Sequence, residues 1–381
     1  MQPTSTDLYD IAITGGGLAG LTLSIQAADA GYRVILFEKE SYPFHKVCGE
    51  YISQESWDFL HRCGLDLKQW SLPDIHSLQI SDGNGRIYDF KLPLGGFGVS
   101  RFKLDHALYL KAKEKGVRIC TETRVSNVTF SSGLFNIETS AGTFSGKVAV
   151  GSFGKRSNLD LKWNRAFATT RPSKMNHYIG VKYHIRYPHP SDTIALHNFY
   201  NGYCGISQIE DTTCCLCYLT TADNLQRSDQ SIPVMEKKIL SANPRLADIF
   251  SKAEFLYPQP LTISQISFQQ KTQVENHVLL LGDAAGMITP LCGNGMSMAM
   301  HAGKLAMESI DLFLKGVIAR EEMERSYTRQ WQEAFGLRTK IGRWVQYFFG
   351  NTQTTSLFLK SMHSLPPLSR ELIRQTHGKP F

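Results

Sequence analysis

The 381-residue chain is 42% hydrophobic and 20% charged, with a formal net charge of +7. That is globular composition, and the length exceeds the roughly 250–300 residues at which single cores stop growing, so two lobes are expected. The basic excess is too mild and too unclustered for a nucleic-acid partner, although it suits an anionic cofactor.

The N-terminal MQPTSTDLYD is polar and acidic and has no apolar core of a leader, and no uninterrupted apolar run approaches a membrane span. A cytoplasmic location is expected, with peripheral membrane contact left open. Eight cysteines are present. In the run Cys214-Cys215-Leu216-Cys217 a strand would turn Cys215 and Cys217 to one face and Cys214 to the other. Buried reduced thiols are expected, and no metal site.

In chain order, Tyr9 to Thr14 (YDIAIT) reads as a short buried strand. Gly15, Gly17 and Gly20 follow as G-x-G-x-x-G, with Leu18 and Ala19 inside the motif, and a helical run continues from Leu21 to Ala30. Gly31 ends that helix, Arg33 to Phe37 (RVILF) forms a second strand, and Glu38 and Lys39 close it. The first glycine permits the tight turn, the second lets a pyrophosphate approach the backbone, and the third lets helix and strand pack closely. The helix N-terminus offers unpaired N–H groups and about half a positive charge. Glu38 lies 18 residues beyond Gly20, near the spacing at which an acid accepts from a ribose hydroxyl. This fits an adenosine without a 2′-phosphate, as in FAD or NAD.

Farther on, His76 to Phe90 alternates like a hairpin around Asp82-Gly83-Asn84-Gly85, Leu104 to Lys115 looks helical, and Val117 to Val150 reads as short strands. Tyr178 to Phe268 is rich in strands around a helix near Ile232 to Leu240. Val278 to Leu281 then runs into Gly282-Asp283-Ala284-Ala285-Gly286, Pro290 and Cys292-Gly293-Asn294-Gly295-Met296, where a helix opens. Arg320 to Phe335 is helical by pattern, and the aromatic segment from Ile341 to Phe381 carries a net charge of +4. Such a tail can lie on a membrane. Packing on its own protein is the commoner outcome and the expectation here.

The two glycine-rich segments together resemble the FAD-dependent group that contains para-hydroxybenzoate hydroxylase-like monooxygenases, geranylgeranyl reductases and flavin-dependent halogenases. The resemblance covers roughly half the chain. It implies that Asp283, after Gly282, accepts a ribityl hydroxyl of FAD, and that the loop from Pro290 to Gly293, Asn294, Gly295 and Met296 passes the isoalloxazine ring. The helix there would point its N-terminus at the ring and stabilise the charge gained on reduction. Pro43-Phe44-His45-Lys46-Val47-Cys48-Gly49 resembles the Pro-x-x-Lys-x-Cys-Gly loop of geranylgeranyl reductases. That places Lys46 and Cys48 at the cofactor, with Cys48 as a catalytic candidate made reactive by His45 and Lys46. Arg101-x-x-Leu104-Asp105 resembles the segment whose arginine reaches the FAD phosphates. Gly151-Ser152-Phe153-Gly154-Lys155-Arg156-Ser157 lacks the aspartate usual in monooxygenases of the group, which puts NAD(P)H as electron donor in doubt.

The expected fold is α/β: a Rossmann-like FAD-binding domain of glutathione reductase type (1–70, 97–154, 274–319), an antiparallel-sheet substrate lobe (71–96, 155–273) and a helical C-terminus (320–381). The resemblance implies a monooxygenase that hydroxylates a small apolar or aromatic substrate through a flavin C4a-hydroperoxide. The Cys48 loop supports an alternative, reduction of polyprenyl double bonds, and a non-catalytic flavin-binding electron carrier is a third. A halogenase is disfavoured because the Trp-x-Trp-x-Ile-Pro signature is absent. His177, His184 and His197 are candidates for a base by residue type only.

Overall fold

The structure, a computed structural model, describes residues 8–169 and 177–381. The N-terminal stretch read above for a leader therefore lies outside the described residues up to position 7, as does the side chain of Cys292. The chain opens with β1 (Leu8–Thr14), α1 (Leu18–Asp29) and β2 (Val34–Phe37). It crosses into a second layer through β3 (Tyr51–Ser53), β4 (Asp74–Ser81) and β5 (Ile87–Gly98). It returns through α2 (Arg101–Glu114) to β6 (Arg118–Cys120), β7 (Val125–Ser131), β8 (Leu134–Thr139) and β9 (Gly142–Gly151). The second layer then takes β10 (Tyr178–Arg186), β11 (Thr193–Phe199), β12 (Gly202–Gln208) and β13 (Cys214–Thr221). Two helices, α3 (Ile232–Lys238) and α4 (Pro244–Lys252), precede β14 (Glu254–Phe255) and β15 (Leu261–Ile266). The hairpin β16 (Val274–Glu275) and β17 (Val278–Leu280) leads back to α5 (Gly295–Leu314). Three helices end the chain: α6 (Arg320–Gln346), α7 (Thr352–Ser364) and α8 (Pro366–Thr376).

The first sheet has strand order β16-β17-β9-β1-β2-β6, with β17, β9, β1, β2 and β6 mutually parallel. Every residue of Val34–Phe37 is buried, as expected of a parallel strand covered on both faces. The second sheet runs β14-β10-β13-β12-β11-β4-β5-β3 and is antiparallel except where β11 meets β4. Two of its features depart from the boundaries drawn from sequence. Tyr51–Ser53 pairs with Gly96–Gly98, so a strand from the segment given to the first lobe, and the last two residues of β5, belong to the second sheet. The cause is pairing between segments distant in sequence, which local alternation does not encode.

The first turn depends on its glycines. Gly15 has φ +104°, and a Cβ there would lie 2.5 Å from the Ser152 carbonyl oxygen. A Cβ on Gly20 would lie 2.2 Å from the Gly15 carbonyl oxygen. Helix α1 can therefore sit against β1 and the end of β9 only without side chains at these positions.

Candidate functional site

Glu38 follows the last residue of β2, beneath the glycine turn, and is buried. The Gly16 N–H donates to its carboxylate at 2.8 Å and the Glu40 N–H at 3.2 Å. The Tyr42 hydroxyl donates to the Gly16 carbonyl at 2.5 Å, and its ring stacks on Tyr109 with centroids 4.4 Å apart. Lys39 points away, mostly exposed and paired with Glu40. Glu38 thus shapes the turn itself, in addition to any ribose it holds.

Helix α1 begins at Leu18, behind Gly17, with no side-chain cap and no acid in its first turn. A Cβ on Gly17 would meet only the Arg101 guanidinium and the Lys46 ammonium, each at 3.7 Å. Both cations are anchored by one carboxylate. Arg101 donates twice to Asp105 at 2.7 Å, and Lys46 donates to Asp105 at 3.0 Å. Burial by itself would raise the Asp105 carboxyl, but Arg101 and Lys46 outweigh it and hold the group below the usual carboxylate range. Two cations on one anion leave a net positive charge at an uncapped helix N-terminus, which suits a pyrophosphate.

The third wall is the end of β17. A Cβ on Gly282 would lie 3.3 Å from the Ala299 methyl of α5 and 3.6 Å from the Ala19 methyl of α1, so both helices converge on this strand end. Asp283 lines a small cleft with Gly286, Gly295, Met298 and Trp331. Its backbone carbonyl accepts from Lys271 at 2.8 Å, and burial pushes the Lys271 ammonium down to about 8. Helix α5 opens behind Asn294 without a side-chain cap, and the Asn294 amide donates to the Thr376 carbonyl at 2.9 Å. Beside Gly295, a Cβ would meet only Ile288, at 3.9 Å. Two uncapped helix N-termini, a cationic pair and open space at Gly17 and Gly295 fit an extended anionic dinucleotide. Gly15, Gly17, Leu18, Ala19, Gly20, Glu38, Lys46, Arg101, Gly282, Asp283 and the Pro290–Met296 loop would hold it; FAD would supply the redox chemistry.

The loop bearing Cys48 packs on the second sheet through a buried cluster that sequence reasoning missed. Glu50, wholly buried, accepts from Lys182 at 2.5 Å, shares a 2.6 Å hydrogen bond with His184, and accepts from the Arg101 N–H at 2.8 Å. Burial would raise its carboxyl; Lys182 and then His184 overcome that and hold it low. The charge near Cys48 comes from Lys182 and Arg101. His45 instead stacks on Phe102, and Lys46 is spent on Asp105. Glu50, His184 and Cys215 bring ligand-type atoms within 4.8 Å of one another. Lys182 already neutralises the carboxylate, however, and the Cys215 thiol donates to the Cys48 carbonyl at 3.3 Å. Cys214 and Cys217 are three apart, but strand alternation separates their faces. His197 is a structural residue: buried, bonded to Ser81 at 3.0 Å, and pushed down to about 3 by burial. A signal for the cluster was present, since Lys182 and His184 interrupt an otherwise apolar buried strand, and a buried charge requires a partner.

An apolar cavity lies on the far side of the Pro290–Gly293 loop. Its floor is the second sheet, through Ile80, Phe90, Ile194 and Leu196, and its roof is the C-terminal helices, through Phe349, Leu359, Met362 and Ile373. Tyr51 joins cavity and loop: it lines the cavity, and a Cβ on Gly293 would lie 2.8 Å from its ring. The buried Tyr51 hydroxyl has no hydrogen-bond partner among the described residues.

A parallel sheet with a glycine turn, a cationic cradle and a second helix aimed into the same groove fits an FAD-binding fold. A family model for the FAD binding domain matches residues 10–45. The chain is 26% identical to conditioned medium factor receptor 1 of Dictyostelium discoideum, over 92% of this chain and 71% of that protein. It is 23% identical to the digeranylgeranylglycerophospholipid reductase of Methanosarcina acetivorans, over 92% of this chain and 87% of that protein. Among solved structures, the flavin-dependent brominase Bmp2 superposes with a TM-score of 0.80 at 21% identity, covering 97% of this chain and 93% of that one. The P. aeruginosa monooxygenase-like PqsL superposes with a TM-score of 0.72 at 16% identity, covering 91% and 98%. The solved structures share the fold of this chain, and the family match falls on its glycine turn, α1 and β2.

Proposed function

We propose that the protein is an FAD-dependent monooxygenase that hydroxylates an apolar or aromatic small molecule held in the cavity between the second sheet and the C-terminal helices. The observation that carries this reading is the cavity itself. It is almost wholly hydrocarbon-lined and meets the loop at the N-terminus of α5. Such a site excludes water from the reacting groups. When bound, FAD supplies electron transfer and oxygen activation. The protein would orient the substrate between Tyr51 and the sheet, and the uncapped N-terminus of α5 would favour negative charge on the bound cofactor. NAD(P)H is the proposed electron donor and the cytoplasm the proposed location; free thiols at the seven cysteines with described side chains suit a reducing compartment. No helix of the described residues is long and apolar enough to cross a membrane.

The test is oxygen uptake by FAD-loaded protein supplied with NADH or NADPH and a panel of apolar and aromatic compounds. Substrate-dependent uptake with an oxygenated product is expected. Protein that stays colourless after FAD addition would sink the reading. Glu38→Ala should weaken FAD binding by about 1–3 kcal/mol, the loss expected when hydroxyl and backbone donors lose an ionised acceptor, and Glu38→Gln should cost less. FAD titrations that superimpose for wild type and both variants would remove Glu38 from the site.

The Cys48 loop favours a second reading, double-bond reduction in an apolar chain. Cys48 is half-buried near two cations, a setting in which a thiol acts. Cys48→Ala should retain FAD and change turnover or product distribution. Wild-type turnover and products in that variant would return Cys48 to the role of a small packing residue.

A further inference from the structure

The C-terminal helices have two apolar faces, and the described residues cover only one of them. Inward, Leu359 and Met362 pack against the cavity, as the expectation of a packed tail requires. Outward, Leu337, Trp344, Tyr347, Leu357, Leu365 and Leu368 are between 48% and 69% exposed. Fourteen large apolar side chains are exposed among the described residues; these six fall within a 32-residue segment, and the rest are scattered over the remaining chain. All six lie on α6, α7 and α8 or on the turns that join them. Trp344 on α6 meets Phe358 on α7 with ring centroids 6.3 Å apart. The turn from α7 to α8 then adds Leu365, Pro366, Pro367 and Leu368, all exposed.

The charge around this surface identifies its partner. From Leu337 to Phe381 the chain has seven Lys or Arg and a single acid, Glu371. Glu371 is paired with Arg374, whereas the exposed Lys340, Lys360 and Arg370 make no ion pair with any described residue. Leucine and aromatic side chains interleaved with lysine and arginine match a helix lying in a membrane interface. A second copy of the chain would set basic residues against basic residues, which disfavours self-association.

We infer that this face docks on the surface of an anionic phospholipid bilayer. The same helices line the cavity, so docking would hold it close to a substrate dissolved in the lipid. That last step rests on the proposed function; the docking does not.

The test is sedimentation of the FAD-loaded full chain with vesicles of phosphatidylcholine, alone or mixed with phosphatidylglycerol. Wild type should pellet with the mixed vesicles and more weakly with phosphatidylcholine alone. Combined Tyr347→Ser, Leu357→Ser, Leu365→Ser and Leu368→Ser should lower partitioning at least about tenfold on both. Combined Lys340→Gln, Lys360→Gln and Arg370→Gln should remove the anionic preference, on the order of fivefold per charge. Retained yellow colour in each variant reports an intact fold. The inference is overturned if wild type stays in the supernatant with mixed vesicles, or if either variant binds like wild type. It is equally overturned if the leucine variant merely dissociates a dimer seen by ultracentrifugation while vesicles never bind. Vesicle binding by protein that takes up no FAD would overturn the functional reading and leave the docking standing.

Discussion

Lys182→Met is expected to destabilise the protein by about 3–5 kcal/mol, the range for breaking a buried ion pair from one side. Both members are fully buried, with 0% side-chain exposure. Removing the ammonium leaves the Glu50 carboxylate with His184 and the Arg101 N–H in a medium that solvates charge poorly. The pH dependence gives the second readout. In the wild type the Glu50 carboxyl is held below its ordinary value. Its contribution to stability is therefore present above the unfolded-state value and is lost as pH falls through the folded one. In Lys182→Met, burial dominates and the folded value rises, so protonation relieves the variant. The stability gap between the two proteins should narrow from neutral towards mildly acidic pH. Glu50→Gln with Lys182→Met should recover part of the loss, since no unpaired charge remains. Urea denaturation across pH measures all three proteins. A Lys182→Met loss under about 1 kcal/mol, with a gap independent of pH, would show that the pair does not hold the loop to the sheet.

This cluster also shows where sequence reading ends. The glycine turn, Glu38 and the Gly282-Asp283 segment were legible because each motif lies on consecutive residues whose spacing is set by one strand and one helix. The convergence of α1 and α5 on Gly282 follows from those motifs plus the parallel sheet. The pairing of Glu50 with Lys182 and His184 joins residues 132 and 134 apart, and no local period relates them. Tyr51 escaped notice for the same reason: its three-residue strand carries too short a pattern to reveal its partner. The roof over the cavity was hidden differently. The tail looked either packed or membrane-facing from its composition, and its helices prove to have one packed and one exposed side, with Asn294 tied to Thr376 joining the tail to the Pro290–Met296 loop. Composition sums over both faces of a helix and therefore cannot separate them.

Arg101→Met should lower FAD affinity by roughly 100- to 1,000-fold, about 3–4 kcal/mol, and so produce protein that purifies largely colourless. Two effects add. A charge-assisted hydrogen bond to a phosphate is worth about 1.5–3 kcal/mol, and Arg101 lies beside Gly17, where the pyrophosphate would approach. The same substitution strips Asp105, 1% exposed, of its bidentate partner and leaves Lys46 to balance it alone. The cradle then changes from net positive to about neutral, with a buried carboxylate facing an anion. Arg101→Met with Asp105→Asn separates the two effects. It removes the uncompensated carboxylate and should regain part of the affinity, while the lost phosphate donor keeps it below wild type. Stability of the FAD-free forms, measured by thermal unfolding, should fall for Arg101→Met and recover in the double variant. The phosphate role of Arg101 fails if the single variant titrates with FAD like wild type while its FAD-free form is destabilised. In that event the Arg101–Asp105 pair serves only to brace the start of α2 against the glycine turn.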